Sequence, residues 1–142
     1  YLKRGYSKNW INQRLKSIEI RKDLTDEWET RGVSQGNEFA ILTDDITFAW
    51  AGMKTKHYKK YKSLKKENLR DNMTNLELVL NMLAEVSTTE ISKKVQPENL
   101  IQNRQVAREG GGIAGTARRK LEKKTGKKAI TRLNAKDLKL IK

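Results

Sequence analysis

The sequence predicts an all-α protein, a partly extended multi-helix bundle of about six short to medium helices. Three observations carry that prediction. Leu76, Val79, Leu80, Leu83 and Val86 follow the spacing of one helical face. Polar N-cap signals stand ahead of the apolar-periodic runs, at Ser7, Thr43, Thr74 and Ser87. No stretch of useful length alternates apolar and polar residues, and only Lys128 to Arg132 is ambiguous.

Taken in order, Ser7 caps a helix carrying Ile11, Leu15 and Ile18, and a shorter piece follows around Leu24 and Trp28. Thr43, with Asp44 and Asp45 at the positive end of the dipole, starts one carrying Ile46, Ala49, Trp50 and Met53. From Met73 to Val86 runs the best core helix, opened by a Thr74/Glu77 capping box and a Met73/Leu78 staple. Leu78 and Met82 widen its stripe, which is the pattern of a central helix or of one lying against a second chain. Ser87 and Glu90 repeat the box, and Pro97 with Glu98 opens a further helix to about Glu109. These three helices invite a helix-turn-helix reading of residues 74 to 109. The last strong helix is expected after Gly110, Gly111 and Gly112, carrying Ala114, Ala117 and Leu121 and stopping at Gly126. Trp10, Trp28 and Trp50 fall on or beside apolar stripes and read as core.

Composition sets the function classes. The 142 residues hold 31 Lys and Arg against 17 Asp and Glu, a formal charge of +14. Leu, Ile, Val and Phe number 32, just above the roughly 20% at which a highly charged chain stays disordered, so a thin core is expected. The chain has no cysteine, which excludes disulfides and thiolate metal sites and fits a reducing, cytoplasmic and nucleoid-associated setting. No apolar run approaches the ~20 residues that span a bilayer. The expected organisation is one helical domain over 1–142: basic N-terminal helices to 72, central helices with a glycine hinge over 73–126, and a tail over 127–142. Because the chain opens on Tyr1, it reads as the C-terminal part of a longer product.

The charge is concentrated. Lys54, Lys56, Lys59, Lys60, Lys62, Lys65, Lys66 and Arg70 lie in seventeen residues whose one acid is Glu67, interleaved with His57, Tyr58 and Tyr61. Cations that neutralise phosphates beside rings that stack on bases make a nucleic-acid contact; a solvated, solubilising face is the alternative. A second cluster, Arg118, Arg119, Lys120, Lys123, Lys124, Lys127 and Lys128, shares a helix with the narrow stripe Ala114, Ala117 and Leu121. Bare amides at its predicted N-terminus could hold one phosphate. Gln102, Asn103, Arg104, Gln105 and Arg108 are candidate base-reading residue types.

An enzyme is not expected. His57 is the single histidine and stands among lysines, so no triad can be built. Asp44 and Asp45 read as helix-terminal charges rather than metal ligands, and Glu122 and Lys124 form an E-x-K without the strand and Asp of a two-metal nuclease. Gly110, Gly112 and Gly115 match G-x-G-x-x-G, but a helix precedes them and no βαβ unit follows. No catalytic residue, metal ligand or cofactor is assigned.

Four segments, YSKNWINQRLKSIEIRKDLTDEWETRGV (6–33), EFAILTDDI (38–46), SLKKENLRDNMTNLELVLNMLAE (63–85) and GGGIAGTARRKLEKKTGKKAI (110–130), resemble DNA-damage-inducible protein D and related prophage antirepressor-like proteins. The similarity runs in order through most of the chain and thins after Thr131. It implies a DNA-associated regulator of the bacterial damage (SOS) response or of prophage, a region that follows a Bro-type N-terminal domain, and no catalytic motif. The expected function is a DNA-binding regulatory module, on single-stranded or duplex DNA, that grips phosphates with little sequence reading. The alternative is an interaction module that pairs with its own copy through Leu76, Val79, Leu80, Leu83 and Val86, or that contacts a recombination protein.

Overall fold

The computed structural model describes residues 1–140 and is all-helical over them: α1 (Lys8–Thr30), α2 (Asn37–Ala51), α3 (Thr55–Tyr61), α4 (Asn75–Val95), α5 (Leu100–Thr125) and α6 (Ala135–Leu140), with 3-10 turns at Leu2–Arg4 and Arg70–Asn72. The predicted tail ends at Ile141 and Lys142, which lie outside the described residues.

Four long helices make the core. The Ser7 hydroxyl accepts from the Trp10 amide, as expected, but α1 runs unbroken through Leu24 and Trp28. Its buried positions, Trp10, Arg14, Ser17, Leu24 and Trp28, keep the period of one face. The predicted stripe is therefore off-centre, with Leu15 and Ile18 exposed. α1 lies parallel to α4: Trp10 Nε1 donates to the Met73 carbonyl at 2.7 Å, Arg21 pairs with Glu85, and Ser92 donates to Glu27 at 2.6 Å. α2 begins at Asn37, not Thr43, whose hydroxyl instead bonds back to the Phe39 carbonyl inside the helix.

The Thr74/Glu77 capping box forms in full. Ser87 caps nothing, because α4 continues to Val95, with the Thr88 and Thr89 hydroxyls bonded to carbonyls one turn back. It ends where Gln96 turns left-handed (φ 54°) ahead of Pro97. α5 opens at Leu100 with Asn99 as its cap, so Pro97 and Glu98 stand ahead of the helix rather than in its first turn. α4 and α5 thus form a long helical hairpin in place of the helix-turn-helix, since two helices of 21 and 26 residues replace the three short ones.

The glycines are not a hinge. α5 passes straight through them and stops at Gly126, the predicted C-cap. A Cβ on Gly110 would lie 2.6 Å from the Thr88 amide nitrogen, one on Gly111 2.5 Å from the Ile46 carbonyl, and one on Gly115 2.4 Å from the Ala49 carbonyl. Small residues are needed because α5 touches the backbones of both α4 and α2 there. The helix N-terminus that was to offer bare amides to a phosphate does not exist.

Candidate nucleic-acid interface

Two acidic side chains of α4 organise the basic stretch from inside. Glu77 is buried; it accepts from the Tyr58 hydroxyl and, at 2.7 Å, from Lys62 Nζ. Lys62 is 0% exposed and also donates to the Leu133 carbonyl, tying the tail down. Burial pushes the Lys62 ammonium below its ordinary value against the pull of Glu77, and burial with the same carboxylate drives the Tyr58 hydroxyl well up. Glu85, buried, takes two bonds from Arg70 (3.0 and 2.8 Å) and one from Arg21 (2.9 Å). Burial alone would raise its pKa, but the Arg70 and Arg21 guanidiniums outweigh it and hold the carboxyl below 4.5.

Two predicted contacts are thereby corrected: Lys62 and Tyr58 are 0% exposed and are spent on Glu77. Arg70, paired with Glu85, is half-buried. So is Arg118, whose Nε donates to the Trp50 carbonyl at 2.6 Å and whose Nη1 donates to Glu122 at 2.9 Å. Tyr61 is half-buried, with the Arg132 guanidinium 5.1 Å from its ring centre, which competes with base stacking. Asn103 is buried and bonded to the Asn99 carbonyl, so it reads nothing. Arg104 holds Asp45 at 2.9 Å, with Arg108 3.9 Å from the same carboxylate; Gln102 and Gln105 are exposed.

What remains is cationic and open. Lys54, Lys56, Lys60, Lys65 and Lys66 are exposed and Lys59 half-exposed. Among the described residues the lysines in ion pairs are Lys16, Lys22 and Lys62, so none of these six has an anionic partner. Glu67, the acid among them, accepts the Lys65 and Lys66 amides at 3.0 Å each; these bonds and one from its own amide hold its carboxyl below the ordinary value.

Five of the six lysines line two adjoining clefts that share Arg21, Thr43, Thr55 and Lys59. One, of about 560 Å³, runs over Arg14, Arg70 and Asn81 to Lys66; the other, of about 870 Å³, is lined by Lys56, Lys60 and Lys65 and by Phe39, Ala40 and Leu64. Arg21 links them, with one nitrogen on Glu85 and the other 2.7 Å from the Thr43 hydroxyl. Arg21, Phe39, Thr43 and Thr55 carry no sequence signal for this site, since α1, α2 and α3 bring them together only in three dimensions.

In the second cluster, Arg118 reaches the Trp50 carbonyl, and the buried Trp50 ring meets Tyr58 of α3 with centroids 6.0 Å apart. Arg119, Lys120, Lys123, Lys124, Lys127 and Lys128 are exposed. Among the described residues no acidic or histidine cluster could hold a metal ion, and no helix is long and apolar enough to cross a membrane.

No relative names this arrangement. No protein-family model matches the chain, and no curated protein or solved structure matches it either. The site is read from its own chemistry.

Proposed function

We propose that this chain is a DNA-binding regulatory module of the bacterial damage response or of prophage, which grips the phosphate backbone through the lysine-lined clefts and does not read sequence. Six lysines without anionic partners, five of them around one continuous concavity, are the observation that carries the reading. The likeness to DNA-damage-inducible protein D supplies the biological setting.

Salt titration of DNA retention tests it. With roughly five phosphates neutralised on duplex DNA, log K should fall with log salt at a slope of about −4.5. Changing Lys59, Lys60 and Lys65 together to Glu should flatten that slope; Lys62 is left alone because its charge is internal. Affinity indifferent to salt would dispose of the reading.

A second reading, a homodimer, is favoured by one observation. Leu76, Val79, Leu83 and Val86 remain 39%, 43%, 37% and 39% exposed on α4, at the 3-4-3 spacing of a coiled-coil seam, while Leu80 of the predicted contact turns inward. Light scattering decides it: a dimer that becomes monomeric on Leu83→Glu supports pairing, and a wild-type monomer removes it. A monomer that co-purifies with a recombination protein through the same stripe would transfer the surface to that partner.

A further inference from the structure

The larger cleft is not built for phosphate alone. Lysines line it, yet so do the apolar side chains of Phe39, Ala40 and Leu64, and its volume of about 870 Å³ is that of a pocket for a whole organic group rather than an oxyanion. Phe39 is half-buried, leaning on Trp28 at 5.2 Å between ring centres, so one part of its ring is braced and another lines the cavity. Polar residues line it as well: Thr55, the pair Arg21 and Thr43 already bonded to one another, and Asp44, one of whose carboxylate oxygens takes the Thr55 amide at 3.2 Å.

We infer that this pocket receives an unstacked nucleobase, so that the ligand class of the basic clefts is single-stranded nucleic acid. The inference rests on the phosphate-binding reading and deepens it. An aromatic ring braced in the lining suits contact with a base, and Asp44 can accept from a base N–H. A duplex keeps its bases stacked and offers none without paying for extrusion, whereas a single strand presents them freely. The cationic border continues past the pocket to Lys66 in the adjoining cleft, which suits a backbone that enters on one side of the seated base and leaves on the other. Asp44 in the wall also disfavours the acidic peptide that a cationic groove could otherwise take.

The test compares three probes at matched salt: oligothymidylate, an abasic oligomer with the same number of phosphates, and a duplex. Charge alone favours the duplex, whose phosphates are denser. The expected result reverses that order, with oligothymidylate binding about tenfold tighter than the abasic strand. Phe39→Ala should bring that ratio close to one. Because Phe39 packs on Trp28, Ala40→Leu serves as the second variant: it fills the pocket from an exposed helical position and should erase the same ratio. Equal, salt-steep binding of the base-bearing and abasic strands overturns the base pocket and leaves the phosphate reading standing. Absence of binding by all three probes at low salt overturns both. Displacement of oligothymidylate by an acidic, phenylalanine-bearing peptide that binds more tightly reassigns the pocket to protein.

Discussion

Lys62 stands in the most basic stretch of the chain and yet contributes nothing to its surface. Its methylenes are enclosed, its ammonium is closed off between the Glu77 carboxylate and the Leu133 carbonyl, and its neighbours Lys59, Lys60 and Lys65 keep their charge at the cleft. One residue type thus does two jobs within seven positions, separated only by the side of the turn on which each falls. Glu85 is the acidic counterpart, a buried anion between two guanidiniums. Its folded pKa lies below the ordinary 4.5, so the unfolded chain takes up the proton first as pH falls. The stabilisation is present in full above 4.5 and is lost as the pH drops through the folded value. Thermal melts on the acid side should show this decline. Glu85→Gln should lower stability at neutral pH by about 3 kcal/mol, because two half-buried guanidiniums lose their buried counter-charge, and should flatten the acid slope. A wild-type melting temperature that does not change below that pH would contradict the assignment.

At the scale of elements, the glycines of α5 decide how closely three helices approach. Helix propensity alone says that alanine should stabilise each mid-helix glycine by about 1 kcal/mol. That holds at Gly112, where an added Cβ would meet nothing within 4 Å. At Gly111 and Gly115 the new methyl would run into the Ile46 and Ala49 carbonyls, and overpacking against backbone costs about 1–3 kcal/mol. Gly112→Ala should therefore raise the melting temperature, while Gly111→Ala and Gly115→Ala lower it. Three changes of the same sign in denaturant unfolding would show that the crossing is looser than described. The helix boundaries were only partly legible in the sequence for the same reason. Ser87 with Glu90, and Thr43 with two following acids, have the residue types of a cap, but a hydroxyl inside a helix can bond to a carbonyl one turn back, as Thr43 and Thr88 do. Thr74, Ser7 and Gly126 were legible because nothing beyond the local chain competes for them.

For the whole molecule, the governing fact is how 31 cations are shared among 17 anions. Of the ten ion pairs among the described residues, seven belong to arginines: Arg14, Arg21, Arg31, Arg70, Arg104, Arg108 and Arg118. The planar guanidinium keeps its charge when partly buried and fits a carboxylate with two bonds, whereas lysine is strongly hydrated and stays outside unless caged. The buried acids Glu27, Asp45, Glu77 and Glu85 are all consumed in ion pairs, and the surplus charge is displayed mostly as lysine, with Arg119 and Arg132 also exposed. That division makes the salt dependence proposed above a property of the whole chain rather than of one residue. By itself the sequence determined the all-helical class, the capped starts of α1 and α4, the stop of α5 and the cationic surplus, because propensity, capping and net charge are local or additive. Which lysines line the clefts, which arginines are fastened to buried carboxylates, and that Phe39, Thr43 and Arg21 share a cleft were decided only by tertiary packing, because burial and pairing depend on side chains brought together from distant positions.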